Sequence, residues 1–402
     1  MKNKIKIFIQ YFIALFNIIL KVLLIKNKSK IYFYLNTEGG FGPSITRSHL
    51  INTLHGDNWI LFFGTKKKRH NKKIAKIFDE KLKFFPCGDL NFPQNKEKFE
   101  KFVSKILLLF FAIKIKTVDP IIQDLEFNEN DLSLDENQKK YKKVNLFETG
   151  FFFKKIKDHE FYENNFYKKN FLDIFEKYES NFNGRINFFL RGKGKKYPNN
   201  RFIDNIRDAR DIEDYKPTIE YLIENNWQVF LTGEMFEIPE WLKEKENSII
   251  FHSKTNLEID DYNLYAMSNA DFFIGGSSGP PLFNCINNSC KTLILETKQI
   301  GISYLNCVVS YPKILTNDIL ELEEIFRKSP YDDFFLEKLF KEKLIENLSK
   351  NDLKLITKEF IENININSHW KTFKDLGFTK SHAYYLDAKI SNYWLKLNNI
   401  KV

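Results

Sequence analysis

Cysteine is scarce in this chain and badly spaced for chemistry. There are four, Cys87, Cys285, Cys290 and Cys307, and none forms a Cys-x-x-Cys pair. Neither a zinc site nor a disulfide framework is expected, and reduced, mostly buried thiols are the simplest reading. Zinc-finger spacing, an RNA-recognition signature and a sustained basic-aromatic face are also missing. Nucleic acid is therefore not an expected partner, although the net charge is +10. The glycine loops lack the Lys-Ser/Thr of a P-loop and a clean G-x-G-x-x-G. No Asp-x-Asp sits at a strand end, and Asp260-Asp261 reads as a helix cap. No small-residue cleavage site follows the long apolar stretch at the amino end, which argues against a signal peptide. Short internal repeats are absent.

What is present is a large supply of core material. The chain has 402 residues, 41 of them Phe, with 16% aromatic and 28% charged residues. That is enough for two domains with full cores and is unlike a disordered chain. Residues 1–29 form a separate segment, apolar from Ile5 to Ile25 and interrupted by Lys6, Gln10, Asn17 and Lys21. Those four recur at helical spacing and mark one polar face. The pattern suits a helix lying in a membrane interface with its lysines reaching outward. Spanning the bilayer is open on length alone, and packing of the helix on the protein itself is the alternative. The expected location is cytoplasmic, peripherally attached to the cytoplasmic face of the inner membrane, whose anionic lipid suits a basic protein.

From Lys30 onward the chain alternates apolar strand-like runs with helical patterns, which implies doubly wound parallel sheets. The expected strands are Ile31–Leu35, Asn58–Phe63, Leu82–Phe85, Ile186–Leu190, Gln228–Leu231, Ser248–Phe251, Phe272–Ile274 and Thr292–Leu295. The intervening helices are expected from Pro43 or Ser44 to Leu54, and over Asn71–Phe78, Tyr215–Asn225, Pro239–Glu246, Leu257–Ser268 and Leu282–Ile286. Residues 30–180 are expected to form one Rossmann-like domain and 181–320 a second. Residues 321–402 read as a helical segment packing back across both, ending in a helix capped by Ser381.

Four polar loops stand where strands end. "TEGGFGPS" carries Gly39, Gly40 and Gly42, which let the main chain turn close to a ligand, with Glu38 and His49 nearby as candidates for a base. Arg191 follows a strand directly, and "RDARD" places Arg207 and Arg210 before a helix. Guanidinium forks match phosphate oxygens, though an Arg–Asp network holding a loop would have the same composition. Thr232, Gly233 and Glu234 follow the next strand, where a carboxylate can accept from ribose hydroxyls. "GGSSGPP" supplies Gly276, Ser277, Ser278 and Gly279 between a strand and a helix opened by proline. Unpaired N–H groups and the positive end of the helix dipole make that junction a natural anion site.

The segments "RDARDIEDYKPTIEYLIENNWQVFLTGE" and "NADFFIGGSSGPP" resemble a family of bacterial glycosyltransferases. Its members carry an Arg-Asp…Tyr segment followed by Phe-Phe-Ile-Gly-x-Ser-Ser-Gly, and the match covers Ile186 to Tyr311 best. The resemblance implies a GT-B architecture, two Rossmann-like domains facing a cleft, with nucleotide-sugar in the second and acceptor mainly in the first. More distantly, the strand-Arg-Gly and "FIGGSSG" elements are similar to GDP-fucose transferases, where an Arg grips the diphosphate and a Ser-Ser turn caps it. Phe189 stands where those enzymes have His, so donor identity stays open.

The expected activity is metal-independent transfer of a sugar from a nucleotide-sugar donor to a hydroxyl of a glycan or lipid-linked acceptor, a cell-surface precursor. No cofactor is expected. Arg191, Arg207, Arg210, Gly276, Ser277, Ser278 and Gly279 would hold the diphosphate. Thr232, Gly233 and Glu234 would face the nucleoside, and Gly39, Gly40 and Gly42 the acceptor. A nucleotide-sugar epimerase of related fold and a non-catalytic glycan-binding scaffold are the alternatives.

Overall fold

The computed structural model describes residues 2–24, 32–33, 35–36, 45, 59–63, 73, 77, 82–86, 96–114, 116–117, 165–176, 178, 181–191, 210–233, 237–245, 247–277, 279–286, 290–301, 303–304, 307–316, 319–329, 333–377 and 388–400. The chain forms two compact units, Met1–Asp131 and Leu132–Val402.

The first unit begins with helix α1, Lys2–Leu23, and continues through strands β1 (Tyr32–Phe33), β2 (Leu35–Asn36), β3 (Trp59–Phe63) and β4 (Leu82–Pro86). Helix α2, Lys96–Phe111, and strand β5, Lys116–Thr117, complete it. β2, β3 and β4 form a parallel sheet in that order, and β1 pairs with β5. The helices expected after Pro43 and over Asn71–Phe78 lie almost wholly outside the described residues.

Helix α1 is buried on one side and exposed on the other. At roughly 100° per residue, Ile18 and Val22 share one side and are buried. Ile9, Phe12, Ile13, Phe16, Leu20, Leu23 and Leu24 share another and are exposed. The helix is thus packed along a narrow seam while a broad apolar stripe faces outward. No described helix is long and apolar enough to cross a membrane.

The second unit is an α/β layer structure on one eight-stranded sheet. Its first elements are helices α3 (Asn165–Lys169) and α4 (Leu172–Glu176), strand β6 (Arg185–Leu190), helix α5 (Lys216–Glu224) and strand β7 (Gln228–Gly233). Helix α6 (Glu240–Lys243), β8 (Ile249–Phe251), α7 (Ile259–Asn269), β9 (Phe272–Gly275), α8 (Gly279–Ile286) and β10 (Lys291–Ile294) follow. Each expected strand and helix of this region appears, within a few residues of its expected ends. Pro217 lies in the first turn of α5, and Pro280 and Pro281 in the first turn of α8, where a missing N–H costs nothing.

Residues 321–402 were expected to be helical, and helices predominate among the described ones, with three two-residue strands between them. After β11 (Cys307–Val309) and β12 (Lys313–Ile314) come helices α9 (Ile319–Lys328) and α10 (Asp333–Lys341), and β13 (Ile345–Glu346). Helix α11 (Lys350–Asn363), β14 (Lys371–Thr372), β15 (Lys389–Ile390) and helix α12 (Asn392–Leu397) end it. The expected terminal helix is corrected here: Lys389–Ile390 is a strand parallel to β11, and the helix begins only after Ser391, whose hydroxyl caps the Trp394 N–H at 3.1 Å. Ser381 lies outside the described residues.

The sheet order is β8-β7-β6-β9-β10-β11-β15-β14, parallel throughout except for β14. Numbered from β6, its first six strands run 3-2-1-4-5-6, the order of a Rossmann dinucleotide-binding sheet. The strands are near-continuous apolar runs because helices cover both faces. Ile186, Phe188, Val229, Phe230, Ile249, Phe273, Ile274 and Leu293 are all buried. Phe175 stacks on Tyr265 with ring centroids 3.8 Å apart and meets Phe230 edge-on. The Tyr262 hydroxyl, deep in the same core, donates to the carbonyls of Leu231 and Ile250. Cys290 and Cys307 are free and buried, and burial pushes the Cys307 thiol up to about 12.

Candidate functional site

In a sheet wound both ways, the loops after the two strands at the reversal diverge and leave a crevice at their carboxyl ends. Here the reversal falls between β6 and β9. The register places Phe189 beside Gly275 and Leu190 beside Gly233, while Gly275 also pairs with Ile294. Leu190, Gly233, Gly276 and Leu295 therefore stand at one level, and Arg191 follows one residue beyond it. Arg191 comes directly off β6, half-buried. Gly276 and Ser277 come off β9, and α8 begins at Gly279. The loop sequence thus runs from a central strand into a helix amino end, as its composition suggested.

The glycines of this edge have different duties. A Cβ on Gly233 would lie 1.8 Å from the Leu190 carbonyl oxygen, at φ +117°, so the backbone crossing itself demands glycine there. Gly275 is also fixed by packing, since a Cβ would lie 2.8 Å from the Phe189 oxygen. Gly276 is not: an added Cβ would meet nothing within 4 Å. Among the described residues, then, nothing crowds Gly276 as it crowds Gly233 and Gly275.

Several polar groups expected to face a ligand have partners within the fold. The Thr232 hydroxyl is buried and donates to Asn187 Oδ1 inside the sheet. The Gly233 N–H donates to Asn263 Oδ1 at 3.2 Å. Ser277 is buried, and its Oγ accepts from the Thr297 hydroxyl at 2.5 Å. Arg210 has its Nη2 on Glu296 Oε1 at 2.6 Å and on the Leu348 carbonyl at 2.5 Å, with Nε on Glu296 Oε2. Of the two sequence readings of "RDARD", the structure gives Arg210 an ion pair, with Glu296. Glu38, Gly39, Gly40, Gly42, His49, Arg207, Glu234 and Ser278 lie outside the described residues.

The residues that sequence reasoning missed follow β10. Leu295 donates its N–H to the Gly275 carbonyl at 2.8 Å. Glu296 then turns the chain at φ +52°, an unusual conformation for a side-chain-bearing residue. Its carboxylate accepts from Arg210, from Lys298 Nζ at 2.9 Å and from the Leu348 N–H at 2.5 Å. Side-chain exposures are 1% for Glu296, 9% for Arg210 and 6% for Lys298. Lys298 also donates to Asn347 Oδ1. Burial pulls the Lys298 pKa below its ordinary value despite the attraction of Glu296. At Arg210 burial pulls the same way, but the hydrogen bonds and charge of Glu296 prevail and raise it. The signal for this cluster was the polar "ETK" following an apolar strand, the same signal that marked the other loops. Among the described residues, no three His, Cys, Asp or Glu side chains gather as a metal site.

No protein-family model and no curated protein sequence matches the chain. Among solved structures it is similar to the E. coli heptosyltransferase WaaC with ADP, at TM-score 0.38 and 10% identity over 83% of this chain and 98% of that one. It is also similar to S. aureus MnaA with UDP, at TM-score 0.30 and 12% identity over 84% and 96%. A third is the wall teichoic acid polymerase TagF, at TM-score 0.30 and 11% identity over 90% and 98%. The fold of the second unit is therefore assigned from its own strand order.

Proposed function

We propose that the protein is a GT-B-type glycosyltransferase that moves a sugar from a nucleotide-sugar donor to a hydroxyl of a cell-surface glycan precursor. The observation that carries this reading is the position of Gly275–Gly279 at the reversal of a Rossmann-ordered sheet, opening helix α8. A diphosphate leaving group gathers negative charge as the glycosidic bond breaks. Backbone N–H groups at a helix amino end, with a guanidinium beside them, stabilise that charge without moving. Arg191, Gly276, Ser277, Ser278 and Gly279 are assigned to the diphosphate, and Glu234 to the ribose. Arg210 supports the site from behind through Glu296. The acceptor side, assigned to Gly39, Gly40 and Gly42, and membrane attachment through the exposed stripe of α1 belong to the same reading, with no metal required.

Calorimetric titration with UDP, GDP and CMP tests it on wild type and Arg191→Ala. One nucleotide is expected to bind, about 10-fold or more weaker in the variant, as for a lost charge-assisted bond. Unchanged affinity in Arg191→Ala removes that residue from the site, and no binding by any of the three removes the donor reading.

A further inference from the structure

A second apolar surface lies in the first unit, away from α1 in sequence. The carboxyl end of α2 reads Leu108-Leu109-Phe110-Phe111, and all four side chains are exposed. Leu109 is 77% exposed and Phe110 75%. Four consecutive residues cover a full turn of helix, so this tip is apolar all round, open at Leu108, Leu109 and Phe110 and partly covered at Phe111. It is not a frayed end. Val103 and Leu107 anchor the preceding turns in buried positions, Ala112 ends the helix at φ +52°, and its N–H donates to the Leu108 carbonyl at 3.1 Å. Ile113 then folds back into a buried position, its N–H donating to the Leu107 carbonyl at 3.0 Å. A formed apolar knob is thus presented on an anchored helix.

The charge beside the knob selects its occupant. Lys101, Lys105 and Lys114 are exposed around it. Between residues 96 and 116 the sequence has six lysines against two glutamates. A second copy docking here would bring lysines against lysines. A lipid surface would bring phosphates to them while the hydrocarbon region accepts Leu and Phe. Exposed apolar groups rimmed by lysine are the two ingredients of interfacial anchoring, and stable anchoring takes more than one signal. We propose that the Leu108–Phe111 tip of α2 inserts into an anionic bilayer surface, as a membrane contact separate from the stripe on α1. This rests on α2 alone and needs neither glycosyl transfer nor the assignment of α1.

The test uses the full chain and vesicles of phosphatidylglycerol with phosphatidylcholine, against phosphatidylcholine alone. Leu109→Asp/Phe110→Asp should lower affinity for the anionic vesicles about 10-fold or more, with an unchanged melting temperature because both side chains are already exposed. Phe110→Trp should gain fluorescence that brominated lipid quenches beyond the wild-type background. Phe12→Asp/Phe16→Asp reports on α1 separately. Full retention of vesicle affinity by the α2 double variant, with no added quenching in Phe110→Trp, would overturn the proposal. So would a wild-type dimer by light scattering that the α2 double variant dissolves without any change in vesicle binding.

Discussion

Glu296→Gln isolates what the buried charge cluster contributes. Glutamine keeps the size and one acceptor oxygen but removes the charge. It also turns an NH2 group toward donors, because Arg210, Lys298 and the Leu348 N–H all donate to this carboxylate. Arg210 and Lys298 would remain 9% and 6% exposed with no anion between them. Removing one partner of a buried ion pair costs about 3–5 kcal/mol, much of it the cost of the charge left behind. For a domain of this size that lowers the melting temperature by about 6–20 °C.

The pH dependence distinguishes this cause from simple misfitting. Burial already holds the Lys298 pKa below its ordinary value of 10.5, and Glu296 opposes the shift. Without Glu296 the depression deepens. Between the depressed folded pKa and the unfolded one, the unfolded chain binds more protons, so stability rises with pH. The deficit of Glu296→Gln should therefore shrink as pH rises toward 10.5, because Lys298 sheds its proton sooner in the variant. Adding Lys298→Met should recover part of the loss at neutral pH. Urea melts of the three proteins across the alkaline range read all of this. A deficit below about 1 kcal/mol, flat with pH and indifferent to Lys298→Met, would refute the reasoning, since that is the size of an exposed pair.

Two glycines of the same edge should behave oppositely. Gly233→Ala drives a Cβ into the Leu190 carbonyl at a positive φ and should cost about 3 kcal/mol or more. Gly276→Ala meets nothing and should melt like wild type while weakening nucleotide binding; a large stability loss there, or none at Gly233, contradicts the assignment. At α11, burial pushes the Asp352 carboxyl up, but bonds from Ser349 and from Tyr393 outweigh it and hold the pKa below 3.8. A depressed carboxyl stabilises the fold above its unfolded pKa and loses that contribution as pH falls through the folded one. Asp352→Asn should therefore lower the melting temperature at neutral pH, with the difference shrinking as pH falls from 3.8 and gone once the folded-state carboxyl is protonated; a difference that stays constant through that acid range would count against the bonds from Ser349 and Tyr393 as its cause.

What the sequence made legible was local. "QVFLTG" and "FFIG" read as strands because helices cover both faces and their central residues form short apolar runs, Val229–Leu231 and Phe272–Ile274. The emergence itself marks the carboxyl edge, which is why the loops after β6, β7 and β9 could be named. What was not legible was pairing across distance. Arg210 meets Glu296 across 86 residues and Glu296 meets the Leu348 N–H across 52. No periodicity connects them, so Arg210 looked like a phosphate fork. β15 failed for another reason: two residues, Lys389 and Ile390, are too few to show alternation, and only pairing with Val308 and Val309 on one side and Lys371 and Thr372 on the other makes them a strand.

The cluster and the glycine loop are joined by bonds, which gives the buried charges a structural purpose. Leu295 is tied to Gly275 through the backbone, and Thr297 is tied to Ser277 through hydroxyls. Glu296 stands between them. Its N–H is held by Ser310 Oγ at 2.9 Å and its carboxylate by the Leu348 N–H, in the link from β13 to α11. The turn at Glu296 is strained for a residue with a side chain, and strain of this kind persists only where the surroundings over-determine it. Two cations and a backbone N–H on one carboxylate are such surroundings. They fix Thr297, whose hydroxyl donates to Ser277 Oγ and so fixes that side chain in the loop. A loop proposed to hold a departing diphosphate has to be in place before charge develops, since donors that must rearrange lose most of their advantage. The cost of burying Arg210, Lys298 and Glu296 together is then the cost of holding Gly275 to Ser277 still.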